Sequence, residues 1–211
     1  MSDPVAAEAP AGTRAPRGGH GSGAEQRLLD AARDAFAAKG YFGTSTREIA
    51  AGAGMSPAAM YIHFRSKQDV LLRLSITGHT SALASLETGA ATTGSATKRL
   101  RAAVYAFAEW HGEHHTTGRI VQYELQALTS ENLARVVPLR RQVVRVLRGI
   151  IADGVRGGEF AVDNVDATAL AILSLCIDTV RWFPSRELPT PQAVGAAYAS
   201  LAERMVKSVE R

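Results

Sequence analysis

A chain of 211 residues, 46% of them hydrophobic, has enough apolar material for one large helical domain or a small domain joined to a larger one. Its 24 basic and 20 acidic side chains leave a formal charge of +4, which admits a nucleic-acid partner without requiring one. The one cysteine, Cys176, excludes an intrachain disulfide and a cysteine-based zinc site, and no apolar run has the length and flanks of a signal peptide or membrane span, so a cytoplasmic protein with no membrane partner is expected.

Residues 1–23 are rich in Ala, Pro and Gly and lack the apolar spacing that buries a face, which predicts a disordered arm. Arg14, Arg17 and His20 would let such an arm approach a DNA backbone; an inert tail is the simpler reading. From Ala24 to Lys39, Leu28, Leu29, Ala32 and Phe36 recur at helical spacing, and Gly40 supplies the stop. Ser45 and Glu48 have the spacing of a capping box, so a helix is predicted from Thr46 to about Ala53, where Gly52 and Gly54 permit a sharp turn. Ser56 then caps a second helix with Pro57 at its first position. Ser66 with Asp69 opens a third, predicted from Lys67 to about Leu86. Two short helices joined by a glycine turn make a helix-turn-helix, with Tyr41, Phe42, Ile49, Met55, Phe64 and Leu71 expected as its small core.

In such a motif the second helix enters the major groove with its first residues toward the base edges. Ser56, Pro57, Ala58 and Ala59 are therefore expected at the bases, the two alanines against thymine methyls, and Arg47 as the bidentate guanine contact. Thr44, Thr46, Tyr61, His63 and Lys67 are expected on phosphates, which position the motif without specifying sequence.

The stretch TSTREIAAGAGMSPAAMYIHFRSKQDVLL, preceded by KGYFG, resembles the amino-terminal DNA-binding domain of the TetR family of bacterial transcriptional regulators. The resemblance covers about the first third of the ordered chain, and in that family the positions matching Tyr61 and Lys67 commonly hold phosphates. It implies an all-α protein with a three-helix DNA-binding domain at 24–75 and a larger ligand-binding and dimerisation domain at 76–211. It further implies a homodimer on a palindromic operator of double-stranded DNA and a small-molecule effector.

Beyond the motif, Gly89–Ser95 reads as a loop and Lys98 to about His115 as a helix with a wide apolar stripe. His111, His114 and His115 have a spacing that can share one helix face, but no acidic residue completes a metallohydrolase pattern, and no metal is expected. A further helix is predicted over Arg119–Leu128, then a long one capped by Ser130, with Pro138 as a kink or a later start. Arg141, Arg145 and Arg148 line one face of it, a solvated stripe or a site for an anionic group. Asp163 and Asp166 open a helix, Ala167 to about Phe183, apolar enough to be buried nearly all round, with Cys176 as a core residue and Pro184 as its end. Thr190 and Pro191 start the last helix. In the resembled family the last two helices form a four-helix dimer interface, and the small residues 195–197 and Ala199 allow close packing there.

Phe107, Trp110, Tyr123, Leu128, Trp182 and Phe183 are the candidate lining of an effector pocket, with Arg141 beside it. GVRGGEF followed by a helix ending in Arg181-Trp182-Phe183 resembles the subgroup of the family that senses acyl-CoA thioesters or other fatty and steroid acids. The expected function is a homodimeric repressor released from its operator by a hydrophobic or acyl-CoA-like ligand; a ligand-independent activator or architectural DNA-binding protein would carry the same head. No nucleophile–base pair, paired carboxylates or cofactor fingerprint points to an enzyme or to a cofactor.

Overall fold

The computed structural model describes residues 20–207, where the chain forms nine α-helices, one 3₁₀ turn and no strand. The helices are α1 (His20–Lys39), α2 (Thr46–Gly52), α3 (Pro57–His63), α4 (Lys67–Ala90), α5 (Ala96–Glu113), α6 (His115–Tyr123), α7 (Ser130–Arg156), α8 (Val165–Trp182) and α9 (Pro191–Val206), with the 3₁₀ turn at Leu125–Ala127. Residues 1–19 of the expected arm lie outside the described residues, while its last four, 20–23, belong to α1. No helix among the described residues is long and apolar enough to cross a membrane.

Helix starts follow local side-chain chemistry. Both halves of the Ser45–Glu48 box are formed, Ser45 N–H donating to Glu48 Oε2 at 2.8 Å and Glu48 N–H to Ser45 Oγ at 3.2 Å. Ser56 Oγ accepts from Ala59 N–H at 3.1 Å. At Ser66 the hydroxyl half of the box forms, accepting from Asp69 N–H at 3.1 Å. In the turn after α2, Gly54 takes a φ of 67°, a conformation open to glycine at little cost.

Several boundaries differ from expectation. Ser95 caps α5, so that helix begins two residues before Lys98. Thr129, and not Ser130, caps α7, and Asn164, and not Asp163, caps α8. In both cases neighbouring residues can cap, and the apolar register of the following helix selects one. Pro138 neither kinks the chain to a stop nor delays the start: α7 runs through it, because buried Val136 and Val143 anchor both sides. The expected Arg119–Leu128 helix is instead α6 followed by the 3₁₀ turn. Gly89 and Ala90, expected in a loop, complete α4; Gly89 is buried where α4 crosses α5, and a Cβ on it would stand 2.4 Å from the Ala102 carbonyl oxygen.

The buried side chains form two cores. One gathers Leu28, Phe36, Ile49, Met60, Phe64 and Leu71 between α1 and α4, and it also takes Ile120, Leu125, Leu128 and Val136 from α6, the 3₁₀ turn and α7. Phe42, expected here, is 80% exposed. Tyr41 occupies the inward position, 5.6 Å from the Phe36 ring, and Phe42 meets Tyr41 edge-on from outside. The second core surrounds α5, which α4, α8 and α9 pack against, and contains Leu100, Phe107, Leu147, Ile172, Cys176 and Val194. Burial pushes the Cys176 thiol up to about 12, so it is an inert core group. α8 is not buried all round: Leu170 and Leu175 are exposed, as are Leu201 and Met205 on α9.

Candidate functional site

In the head, α2 fixes α3 through the Gly54 turn and their shared core. Glu48 is held by the Lys39 ammonium and by the Ser45 backbone and hydroxyl, which keep its carboxyl down at about 2 and tie α1 to the first turn of α2. On the outer surface lie Arg47, Ser56, Pro57, Ala58 and Tyr61, all exposed, with Ala59 and His63 half-buried. The Ser56 hydroxyl is occupied by its capping bond. The Tyr61 hydroxyl lies 3.3 Å from Thr46 Oγ1, so the two helices present these groups together.

Two of the expected phosphate ligands are placed otherwise. Thr44 is buried, and its hydroxyl donates to the carbonyls of Gly40 at 2.9 Å and Ala35 at 3.2 Å. It closes the turn after α1, where an unsatisfied buried hydroxyl would be costly. The Lys67 ammonium donates to the carbonyls of Tyr41 at 2.7 Å and Thr44 at 2.6 Å, and sits 4.2 Å from the centre of the Tyr41 ring. Truncating Lys67 would therefore remove a tie inside the head, whatever it does to DNA. Sequence reasoning missed Ile62, which is 81% exposed on α3. Its signal was spacing: Ile62 lies three and four residues beyond Ala59 and Ala58, on the same face.

A cavity of about 330 Å³ opens between α4, α5, α6, α7 and α8. Of the candidate lining residues Phe107, Trp110 and Tyr123 line it, with Ala82, Val121, Val143 and Leu173 among the apolar remainder. The other candidates go elsewhere. Leu128 belongs to the head-side core. Phe183 packs 5.3 Å from the His115 ring, and Trp182 meets Tyr198 of α9 at 6.5 Å; neither lines the cavity. Arg141 faces a shallow outer groove with Val137, Pro138 and Arg145, whereas Arg140 reaches both that groove and the cavity. One residue turns a helix by about 100°, which decides which arginine looks inward. Arg148 is taken by Asp166 at 2.5 Å.

The histidines divide. His114 stacks on Trp110 at 4.6 Å, and His115 bonds the Gly112 carbonyl at 2.9 Å through Nδ1. His111 is buried at the cavity wall, with Nδ1 2.7 Å from the Phe107 carbonyl oxygen. His79 lines the same cavity from α4, with Nδ1 2.8 Å from the Ser75 carbonyl oxygen. No group of His, Cys, Asp and Glu with metal-binding geometry occurs among the described residues. Burial, the largest cause, holds His111 down at about 4 and lowers His79 as well.

A pH dependence follows. An unfolded histidine takes up its proton near pH 6.5, while folded His111 resists protonation until about 4. The unfolded state thus binds more protons between these values, and stability is intact above pH 6.5 and falls as the pH drops toward 4, by about 3 kcal/mol at most. Urea unfolding at pH 7.5 and 5 should show this loss, and His111→Phe should flatten it; an unchanged slope in the variant would assign the loss to other groups.

Comparison with known proteins agrees with this geometry. A family model described as "Tetracyclin repressor-like, C-terminal domain" matches residues 93–206, and one described as "Bacterial regulatory proteins, tetR family" matches residues 28–74. The crystal structure of a bacterial regulatory protein in the tetR family from Rhodococcus RHA1 aligns with a TM-score of 0.84 at 41% identity, covering 89% of this chain and 98% of that one. The HTH-type transcriptional repressor KstR2 of Mycobacterium tuberculosis is 29% identical over 177 residues, 82% of this chain and 88% of its own. Its structure, described as a ketosteroid transcriptional regulator, aligns with a TM-score of 0.78, covering 88% of this chain and 95% of that one at 26% identity. The HTH-type transcriptional activator FasR of Mycolicibacterium smegmatis is 28% identical over 198 residues, 90% of this chain and 88% of its own.

Proposed function

The chain belongs to the TetR family of bacterial transcriptional regulators, and from that premise we propose that it is a homodimeric repressor, released from a palindromic DNA operator by a small, largely apolar effector in the α4–α8 cavity. One observation carries this reading: α6 serves two places at once. Its Val121, Gln122 and Tyr123 line the cavity, while its Ile120 lies in the head-side core. Gln68, at the start of α4, adds a polar tie, donating to the Ala127 carbonyl and accepting from Asn132 Nδ2 at 3.3 Å. A ligand that prefers one position of α6 therefore has a mechanical route to the angle of the head. To lower operator affinity a hundredfold, it must bind the released state about a hundredfold more tightly than the bound one.

On the DNA side, Arg47 is assigned to a guanine edge, Ala58, Ala59 and Ile62 to thymine methyls, and Thr46, Tyr61 and His63 to phosphates. The likeness to KstR2, a ketosteroid transcriptional regulator, supports a steroid-like effector, and that to the fatty acid metabolism regulator protein of Bacillus subtilis a fatty-acid-like one, with Arg140 as the cation that would meet an acidic end. The likeness to FasR supports activation as the second reading. The exposed Leu170, Leu175, Leu201 and Met205 support pairing of α8 and α9 with those of a second copy. Leu175→Arg should then yield a monomer by analytical ultracentrifugation, with operator affinity reduced more than tenfold; a variant that stays dimeric would move the interface elsewhere.

The test is fluorescence anisotropy with DNA upstream of the protein's own gene at a fixed salt concentration, alone and then with fatty acids, steroid acids and their CoA thioesters. Nanomolar binding reversed by one class establishes a ligand-released repressor. Binding that strengthens with ligand overturns release by the effector, and binding indifferent to every compound removes the effector from the proposal and leaves the ligand-independent readings.

A further inference from the structure

Two histidines on facing helices show which hydrogen-bonding group the cavity accepts. His79 on α4 and His111 on α5 both line it, and each places Nδ1 within 2.8 Å of a backbone carbonyl of its own helix. A carbonyl oxygen can only accept, so Nδ1 carries the proton in both rings. Nε2, on the side of the ring away from the helix, is left with a lone pair. The rings are near enough that a charge on His79 disfavours one on His111, and both are kept neutral by burial. The indole N–H of Trp110, which would otherwise be a donor to the cavity, is used on Ser81 Oγ at 2.9 Å. Asp178 also lines the wall, with its two carboxylate oxygens accepting from Arg181 at 2.9 and 2.8 Å, and Gln122, Tyr123 and Ser174 bring further polar groups to it.

We propose that the effector carries a hydrogen-bond donor, a hydroxyl group, on its apolar body, seated against the Nε2 atoms of His79 and His111 and donating to one of them, with its anionic end directed to Arg140. This rests on the reading of the cavity as the effector site and narrows the ligand to hydroxylated lipid or steroid acids. A carboxylate set against the two Nε2 atoms would meet their lone pairs, and an unsubstituted chain would leave both without a proton. A hydroxyl gives its one proton to one of the two rings and avoids the repulsion that a carboxylate would meet there.

The probes are dodecanoic acid and its 3-hydroxy and 12-hydroxy derivatives, titrated into the full-length protein and followed by tryptophan fluorescence, since Trp110 lines the cavity. In a cavity without acceptors, a buried hydroxyl weakens binding by roughly 10- to 100-fold. Here at least one hydroxy acid should bind about 5- to 10-fold more tightly than the parent acid. That preference should reverse in at least one of His111→Phe and His79→Phe and in the double variant, with operator binding serving as the check that each variant folds; a preference kept in the double variant overturns the inference. If every hydroxy acid binds the wild-type protein more weakly than dodecanoic acid, the inference is overturned while the cavity keeps its role. If none of the three, the parent included, gives saturable binding, the reading of the cavity as an amphiphile site falls and takes the inference with it.

Discussion

Gly89→Ala is expected to lower the thermal unfolding midpoint by roughly 4–8 °C, about 2 kcal/mol for a chain of this size. The added methyl would lie 2.4 Å from the Ala102 carbonyl oxygen and 2.6 Å from the Ala103 Cα, and these are backbone atoms of α5 that no rotamer change can move aside. The two helices would have to separate, opening the core around Leu86, Leu100 and Val104. Helix propensity works the other way by about 1 kcal/mol, so the sign of the result decides between packing and propensity. Gly149 is the internal control. It lies on α7 with nothing within 4 Å of the place an added methyl would take, and Gly149→Ala should gain about 0.4–1 kcal/mol. Differential scanning fluorimetry on the two variants and the parent suffices; a neutral Gly89→Ala would mean that α4 and α5 can slide apart at little cost.

Arg47→Ala should weaken operator binding by roughly 10- to 100-fold, the worth of a good bidentate base contact. Arg47 is exposed on α2 beside the Thr46–Tyr61 pair, and the exposed groups of α3 are mostly apolar, so few other side chains can discriminate guanine. Binding to unrelated DNA should change far less, by the share of one phosphate-type charge, and folding should be unaffected because the side chain caps nothing. Anisotropy on operator and on scrambled DNA separates the cases. Equal losses on both would make Arg47 a phosphate ligand and leave base recognition to shape and to Ala58, Ala59 and Ile62.

The head was legible in the sequence because its determinants are local. Ser45 with Glu48, Gly54 and Ser56 with Pro57 each fix backbone within four residues of themselves, and their bonds are found where the spacing puts them. The roles of Thr44 and Lys67 were less visible, since a hydroxyl or an ammonium at a helix start suits a phosphate as well as a carbonyl, and only the fold brings Lys67 back to the chain 26 residues earlier. The cavity was half legible. Phe107, Trp110 and Tyr123 were found by residue type, but Trp182 and Phe183 have the same type and pack beside α9 and α6 instead. His79 and Arg140 gave no signal, because one is a lone histidine on α4, far in sequence from the aromatic candidates, and the other differs from Arg141 only in its angle about α7.

The sharing of Ile120, Leu125, Leu128 and Val136 with the head-side core bears on how such proteins can be recombined. A chimera that joins residues 20–75 to the body of a relative would strip four apolar side chains from beneath Phe36, Ile49 and Leu71 and replace them with another protein's surface. A workable graft has to carry the α6-to-α7 junction, residues 120–136, along with the reading head. In evolution the same constraint would link the two ends of the molecule: on the proposed reading a change of operator can proceed on the outer faces of α2 and α3, whereas a change of effector that reshapes α6 is felt in the core beneath it.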